Sequence, residues 1–175
     1  MNKHSVIVII ASIVIAAPFV YSGLNVLSIE NLQFAGMEQG NFRYFDLIGE
    51  GQIAVCNNMP IQVIIDSLKI SEYFDGEVFG TYETSKISIP GSSSIAVDGT
   101  FLSENYESAQ YYAFHYDSMF KGEQIIRIDP RKLSVQMEMD TSIIGIIPYT
   151  VSKQYSGWDF WNLMNGIDTE FTCKV

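Results

Sequence analysis

VIVIIASIVIAAPFVYSGLNVL, residues 6–27, carries no Asp, Glu, Lys or Arg, and the charge-free run extends from Lys3 to Glu30. As a helix rising ~1.5 Å per residue, such a stretch crosses a ~30 Å hydrocarbon layer. Lys3 and His4 precede it, and the residues behind it are polar, then acidic. Because the positively flanked side stays in the cytoplasm, the chain divides into three parts. Residues 1–5 read as a cytoplasmic stub, 6–27 as a transmembrane signal-anchor helix, and 28–175 as an extracellular domain. A cleaved secretory signal is the rival reading, with Val14 and Ala16, or Val20 and Ser22, at the small positions a signal peptidase needs. The apolar run exceeds the ~7–15 residues of an ordinary signal core, which favours the anchor. Either way the domain is exported: it sits at the cell membrane in a single-pass protein, or is secreted if the segment is removed.

Working outward, the remainder is long enough for one domain with its own core. The 175-residue chain has a formal net charge of −10, and setting Lys3 aside takes the exported part to −11. That balance excludes nucleic acid as a partner, and it excludes a polybasic dock on anionic lipid. Cys56 and Cys173 both fall in the exported part, where an oxidising compartment allows them to form a disulfide. Closing a loop that long contributes ~4–5 kcal/mol by chain-entropy reasoning.

Beta-branched and aromatic residues recur at short intervals between Gly, Asn, Asp and Pro, a strand pattern. Strands are expected at Ser28–Phe34, at Phe42–Asn57 (one or two, with a bulge near Gly49–Gly51) and at Ile61–Ile70. Further strands are expected at Lys86–Pro90, Ser94–Phe101, Ile125–Pro130, Leu133–Thr141, Ile146–Tyr155 and Thr169–Val175. Asp75-Gly76, between Tyr73-Phe74 and Val78-Phe79, is a hairpin signal because a type I′ turn needs positive φ at both central residues. Glu104–Phe120 reads as a helix capped by Ser103, with Ala109, Tyr112, Ala113, Tyr116 and Phe120 on one stripe. Trp158–Met164 reads as a short helix or packed turn. The expected fold is mainly β: an immunoglobulin- or fibronectin III-like sandwich with one short helix, preceded by the transmembrane helix.

Three segments carry a family likeness. IAVCNNMPIQVIIDSLKI (Ile53–Ile70) places a strand before an Asn/Pro turn and an alternating strand after it. GEVFGTYETSKISIPGSSSIAVDGTF (Gly76–Phe101) has a glycine-bearing hairpin, a strand ending in Ile-Pro and a small-residue turn. LSVQMEMDTSIIGIIPYTV (Leu133–Val151) holds two strands around an Ile-Gly step. Together they resemble the late embryogenesis abundant type 2, or WHy, domain over roughly Ser28–Tyr155. The chain departs from that pattern at Asn57-Asn58-Met59-Pro60, where proline falls two positions late. The resemblance implies an immunoglobulin-like sandwich, a link to desiccation or stress tolerance, and no catalytic residues. A single-pass anchor ahead of one such domain occurs among prokaryotic and archaeal relatives.

No catalytic set is legible, and no cofactor is expected. Nucleophilic catalysis needs a base within reach of Ser or Cys, and the exported part has one histidine, His115, among aromatic residues. A blue-copper centre needs two imidazoles; Met137 and Met139, on one strand face, read as core filler. Glu72, Asp75 and Glu77, and likewise Glu138 and Asp140, read as solvated turn and edge charges, since calcium wants a defined loop of oxygens. Tyr155, Trp158, Phe160 and Trp161 form a partner surface, an aromatic cap on one end of the sandwich, or a belt lying on the membrane surface beside the anchor. The reading is thus a non-enzymatic protective or surface-binding module. The alternatives are an accessory subunit that holds a protein partner in a membrane complex, and a carrier of an apolar ligand or lipid.

Overall fold

The apolar run is helical from end to end and does not stop where the domain was expected to begin. In the computed structural model, which describes residues 3–38, 40–49, 51–122 and 128–167, helix α1 spans Lys3–Glu30. It is long and apolar enough to cross a membrane, with nearly all of its apolar stretch exposed. Pro18 sits inside it without breaking it. Its last turns differ: Ser22, Asn25, Ser28 and Ile29 are buried against the rest of the protein. Ser28 therefore belongs to the helix, where its hydroxyl donates to Leu24 O. The expected strand Ser28–Phe34 shortens to β1, Gln33–Gly36.

Strand and helix are nearly balanced, about 39% and 38% of the described residues, so the expectation of a mainly β chain is corrected. Residues Phe42–Asn57 resolve into α2 (Tyr44–Ile48) and β2 (Gln52–Asn57). Ile61–Ile70 divides at Asp66 into β3 (Val63–Ile65) and β4 (Ser67–Phe74). The Asp75-Gly76 turn leads into β5 (Glu77–Thr84), with φ of 54° and 87° at its two residues, as a type I′ turn requires. Then follow β6 (Ile87–Ile89), β7 (Ser93–Asp98), β8 (Thr100–Leu102) and α3 (Tyr106–Phe120). The α3 cap is Asn105, which accepts from Ser108 N; Ser103 instead donates to Phe79 O and accepts from Asn105 N. A 3-10 turn at Pro130–Lys132 precedes β9 (Leu133–Ile143), β10 (Ile147–Ser156) and α4 (Gly157–Asn165). The one short helix expected in the domain becomes three α-helices among the described residues. Of the strand expected at Ile125–Pro130, residues 125–127 lie outside the described residues, while residues 128–130 are not strand and lead into the 3-10 turn; the strand expected at Thr169–Val175 lies wholly outside them.

Among the described residues all strand pairing is antiparallel. One sheet has the order β10-β9-β4-β5-β8, a second β1-β2-β7, and a third pairs β3 with β6. The inward faces of β4 and β9 alternate as their sequences do: Leu68 and Ile70, then Leu133, Val135, Met137 and Met139, are all buried. The two methionines are core filler in this structure. One apolar core joins these residues to Ile53, Val55, Ile65, Tyr82 and Ile89 from the other strands.

The helix is fastened to this body by polar atoms. Asn25 Nδ2 donates to Ile64 O (3.1 Å) and to Thr141 Oγ1 (3.0 Å), and Asn25 Oδ1 accepts from Ile64 N (2.9 Å). One side-chain amide thus serves both backbone groups of Ile64, as a neighbouring strand would. Ser22 Oγ accepts from Ile144 N (2.7 Å), and Lys153 Nζ donates to Glu30 O (2.7 Å). Asn25→Ala strands the part-buried Ile64 N–H, while Ile64 O keeps the Thr141 hydroxyl as a donor. We expect it to lower unfolding free energy by about 2 kcal/mol and to collapse the hydrogen-exchange protection of the Ile64 amide. Unchanged protection would show that Asn25 does not hold β3.

Candidate functional site

The β4 alternation carries one polar residue inward. Leu68, Ile70 and Glu72 share a face, and Glu72 is 0% exposed. This corrects its reading as a solvated turn charge. Neither of its carboxylate oxygens has a hydrogen-bond partner, and the hydroxyl of buried Tyr116 on α3 has none either. Burial pushes the Glu72 carboxyl well above its ordinary range, and the negative charge of Asp117 adds to the effect. Burial thus favours the neutral acid over the carboxylate at Glu72.

Asp117, also buried, faces the start of α2. Its Oδ1 accepts from Tyr44 N (2.7 Å) and its Oδ2 from Phe45 N (3.0 Å), which supplies acceptors for two amides that the first turn of a helix cannot satisfy. Burial raises its pKa to about 6, against the lowering effect of those two N–H donors. Tyr44 turns inward and its hydroxyl donates to Gly157 O, linking α2 to the first residue of α4. Tyr44, Tyr116, Phe120 and Phe160 pack around one another with ring centroids about 6 Å apart. The result is a largely aromatic interior joining α2, α3 and α4, with two buried acids at its edge.

The outer surface of this region is also aromatic. Phe114 is 62% exposed on α3, beside exposed Tyr111, while Phe45 on α2 is partly exposed nearby. A cleft of about 700 Å³ opens between the β1–α2 connection and the end of α3, lined by Met37, Arg43, Phe45, Asp46, Gln52 and Lys121. Arg43 and Asp46 pair across its rim at 2.6 Å. The lining holds charges of both signs.

The four aromatic residues expected to act together are brought together, at the end of β10 opposite Ile147, though not on one surface. Phe160 is fully buried, and Tyr155 packs on it at 6.1 Å. Trp158 and Trp161 stack on each other at 5.4 Å and both touch Phe120. Trp158 is half exposed and Trp161 half buried, with the Trp161 indole N–H unpartnered. Of the set, Trp158 offers the most surface to a partner. His115 is buried against Tyr111 at 4.3 Å, and its Nδ1 has no partner. Asp75 pairs with Lys132 at 2.6 Å, and Asp140 accepts from Ser67 and Thr150 hydroxyls, which hold its carboxyl below the ordinary range. No group of three or more His, Cys, Asp or Glu with metal-holding geometry occurs among the described residues. Cys56 is fully buried in β2, and Cys173 lies outside the described residues.

No family model matches this chain, and no curated protein matches it. Among solved structures, a crystal structure of a protein from Archaeoglobus fulgidus aligns at 6% identity, covering 71% of this chain and 94% of that one, with a TM-score of 0.31. A solution structure of a protein from Arabidopsis thaliana aligns at 15% identity, covering 71% and 76%, with a TM-score of 0.22. Likenesses this slight support no statement about role.

Glu72 and Asp117 are the residues that the sequence reading missed. The signal for Glu72 was present, since a period-2 strand that buries Leu68 and Ile70 buries the next even position too. Nothing local marked Asp117, because its partners lie more than seventy positions earlier.

Proposed function

We propose that this protein is a single-pass, membrane-tethered module that faces outward and acts by binding or protection rather than by catalysis. The observation that carries this reading is α1 itself, an exposed apolar helix whose final turns are built into the domain. Cleavage after Ala16 or after Ser22 would cut inside one continuous helix. The second cut would also remove the hydroxyl that holds Ile144. That continuity favours an anchor over a removable signal. The likeness to the type 2 late embryogenesis abundant domain supports a protective role at the cell surface under stress. The shared core between the five- and three-stranded sheets is what an immunoglobulin-like sandwich would need, and we include that architecture in the proposal.

A second reading, an accessory subunit of a membrane complex, is favoured by Phe45 at the cleft and by the exposed Phe114 and Trp158, since aromatic residues dominate partner sites. Purification of the full chain in mild detergent separates the two. The free-standing module elutes alone; recovery of a stoichiometric membrane partner, lost on Phe114→Asp, supports the subunit reading and contradicts the first.

A further inference from the structure

The turn between β9 and β10, with three residues between the paired Ile143 and Ile147, is built unlike the Asp75-Gly76 turn. Phe74-Asp75-Gly76-Glu77 uses residues suited to positive φ and carries an ion pair to Lys132. The β9–β10 turn, Ile143-Ile144-Gly145-Ile146, places an isoleucine at φ 50° and a glycine at φ 73°, with Ile146 N donating to Ile143 O. A β-branched residue at positive φ is a conformational outlier, and this one is held at the turn where its N–H donates to Ser22 Oγ. The side chains are apolar and outside the core: Ile146 is 79% exposed and Ile147 51%. From Thr141 to Ser152 the sequence has no charged residue, and Tyr149 on the same hairpin is also exposed.

The position of this tip is fixed by α1. Ile144 N donates to Ser22 Oγ, so the tip lies level with Ser22 and beside the exposed apolar surface of the helix, including Phe19 and Val20. Counting from Val6, a ~30 Å hydrocarbon layer takes up about 20 helical residues and reaches roughly position 25. Ser22, and with it the tip, falls at the outer edge of that layer. Tyr149 then sits where tyrosine is enriched, at the boundary between lipid and water.

We propose that the Ile143–Ile147 hairpin tip is a second membrane contact, inserted into the outer leaflet beside α1. Its occupant is the acyl-chain border of the lipid bilayer, because the tip is continuous with the apolar face of the anchor and free of charge. Two contacts, one spanning and one dipping, fix the tilt of the domain on the membrane, which a single helix does not. This inference rests on the reading of α1 as a membrane anchor.

The test uses the full chain in phosphatidylcholine vesicles, with an environment-sensitive fluorophore at Ile146→Cys, at Phe19→Cys on the helix, or at Val78→Cys beside the opposite turn. The unsubstituted chain, treated in parallel, corrects for reaction of the natural cysteines. Nitroxide-bearing lipids should quench the Ile146 and Phe19 probes and blue-shift their emission relative to Val78. Quenching at Phe19 with a water-like, unquenched Ile146 probe overturns the inference and leaves the anchor standing. An unquenched Phe19 probe overturns the anchor and the inference together. Equal quenching at Val78 and Ile146 overturns the proposed orientation.

Discussion

Glu72→Gln is expected to raise the unfolding free energy more at pH 7 than at pH 4. The wild-type acid is buried without a hydrogen-bond partner, and burial favours its protonated form in the folded chain. In the unfolded chain it ionises above its ordinary pKa, so at neutral pH folding must return a proton to it. Glutamine has nearly the same shape and nothing to protonate. For a chain of this size each kcal/mol gained corresponds to roughly 2–4 °C in melting temperature. The sign with pH is definite, because the folded pKa lies above the unfolded one. The stabilisation that the proton provides is full below about pH 4 and is lost as pH rises. Wild type and variant should therefore converge near pH 4 and separate steadily towards pH 7. Asp117, with its pKa raised to about 6, bends the wild-type curve in the same direction between those limits. Chemical denaturation of both proteins across this pH range reads the effect. A variant less stable than wild type at every pH would show that Glu72 holds a favourable partner.

The opposite effect is expected of Asp117→Ala. Its carboxylate accepts the first two amides of α2, and alanine leaves the Tyr44 N–H without an acceptor in a buried position and the Phe45 N–H without one in a part-buried position. Each stranded amide costs about 1–3 kcal/mol, so a loss of about 3 kcal/mol is expected. Asp117→Asn keeps one carbonyl acceptor and should recover part of it. Hydrogen exchange gives the local readout: Tyr44 and Phe45 amides should lose protection before the β4 and β9 amides do. Uniform loss across the domain would mean that Asp117 supports the core generally and does not dock α2. Removing its charge also relieves Glu72, so the two substitutions should be non-additive in a double-mutant cycle.

The features legible in the sequence are those whose cause is local. Asp75-Gly76 announces its turn because both residues tolerate positive φ, and the α3 stripe buries Ala109, Ala113, Tyr116 and Phe120 because helical periodicity puts them together. Leu133–Thr141 alternates and is a strand. The features missed depend on distant partners. Ser28–Glu30 looks extended by composition, yet remains helical because Asn25, Ser28 and Ile29 are buried where α1 docks. Tyr44–Ile48 looks like part of a strand, yet its first amides are accepted by Asp117 on α3. The Ile143–Ile147 segment was read as two strand ends meeting at a glycine step, and its exposure shows only in three dimensions. Of the candidate surface residues, Trp158 was legible, while Phe45 and Phe114 emerged only once α2 and α3 were placed side by side.

The orientation of the domain across a membrane is tested directly by one measurement. Val78→Cys is exposed near the turn farthest from the α1 dock. In intact cells, a membrane-impermeant maleimide should label this position to the same extent as it does after permeabilisation. Labelling that appears only after permeabilisation would place the domain inside and contradict the account.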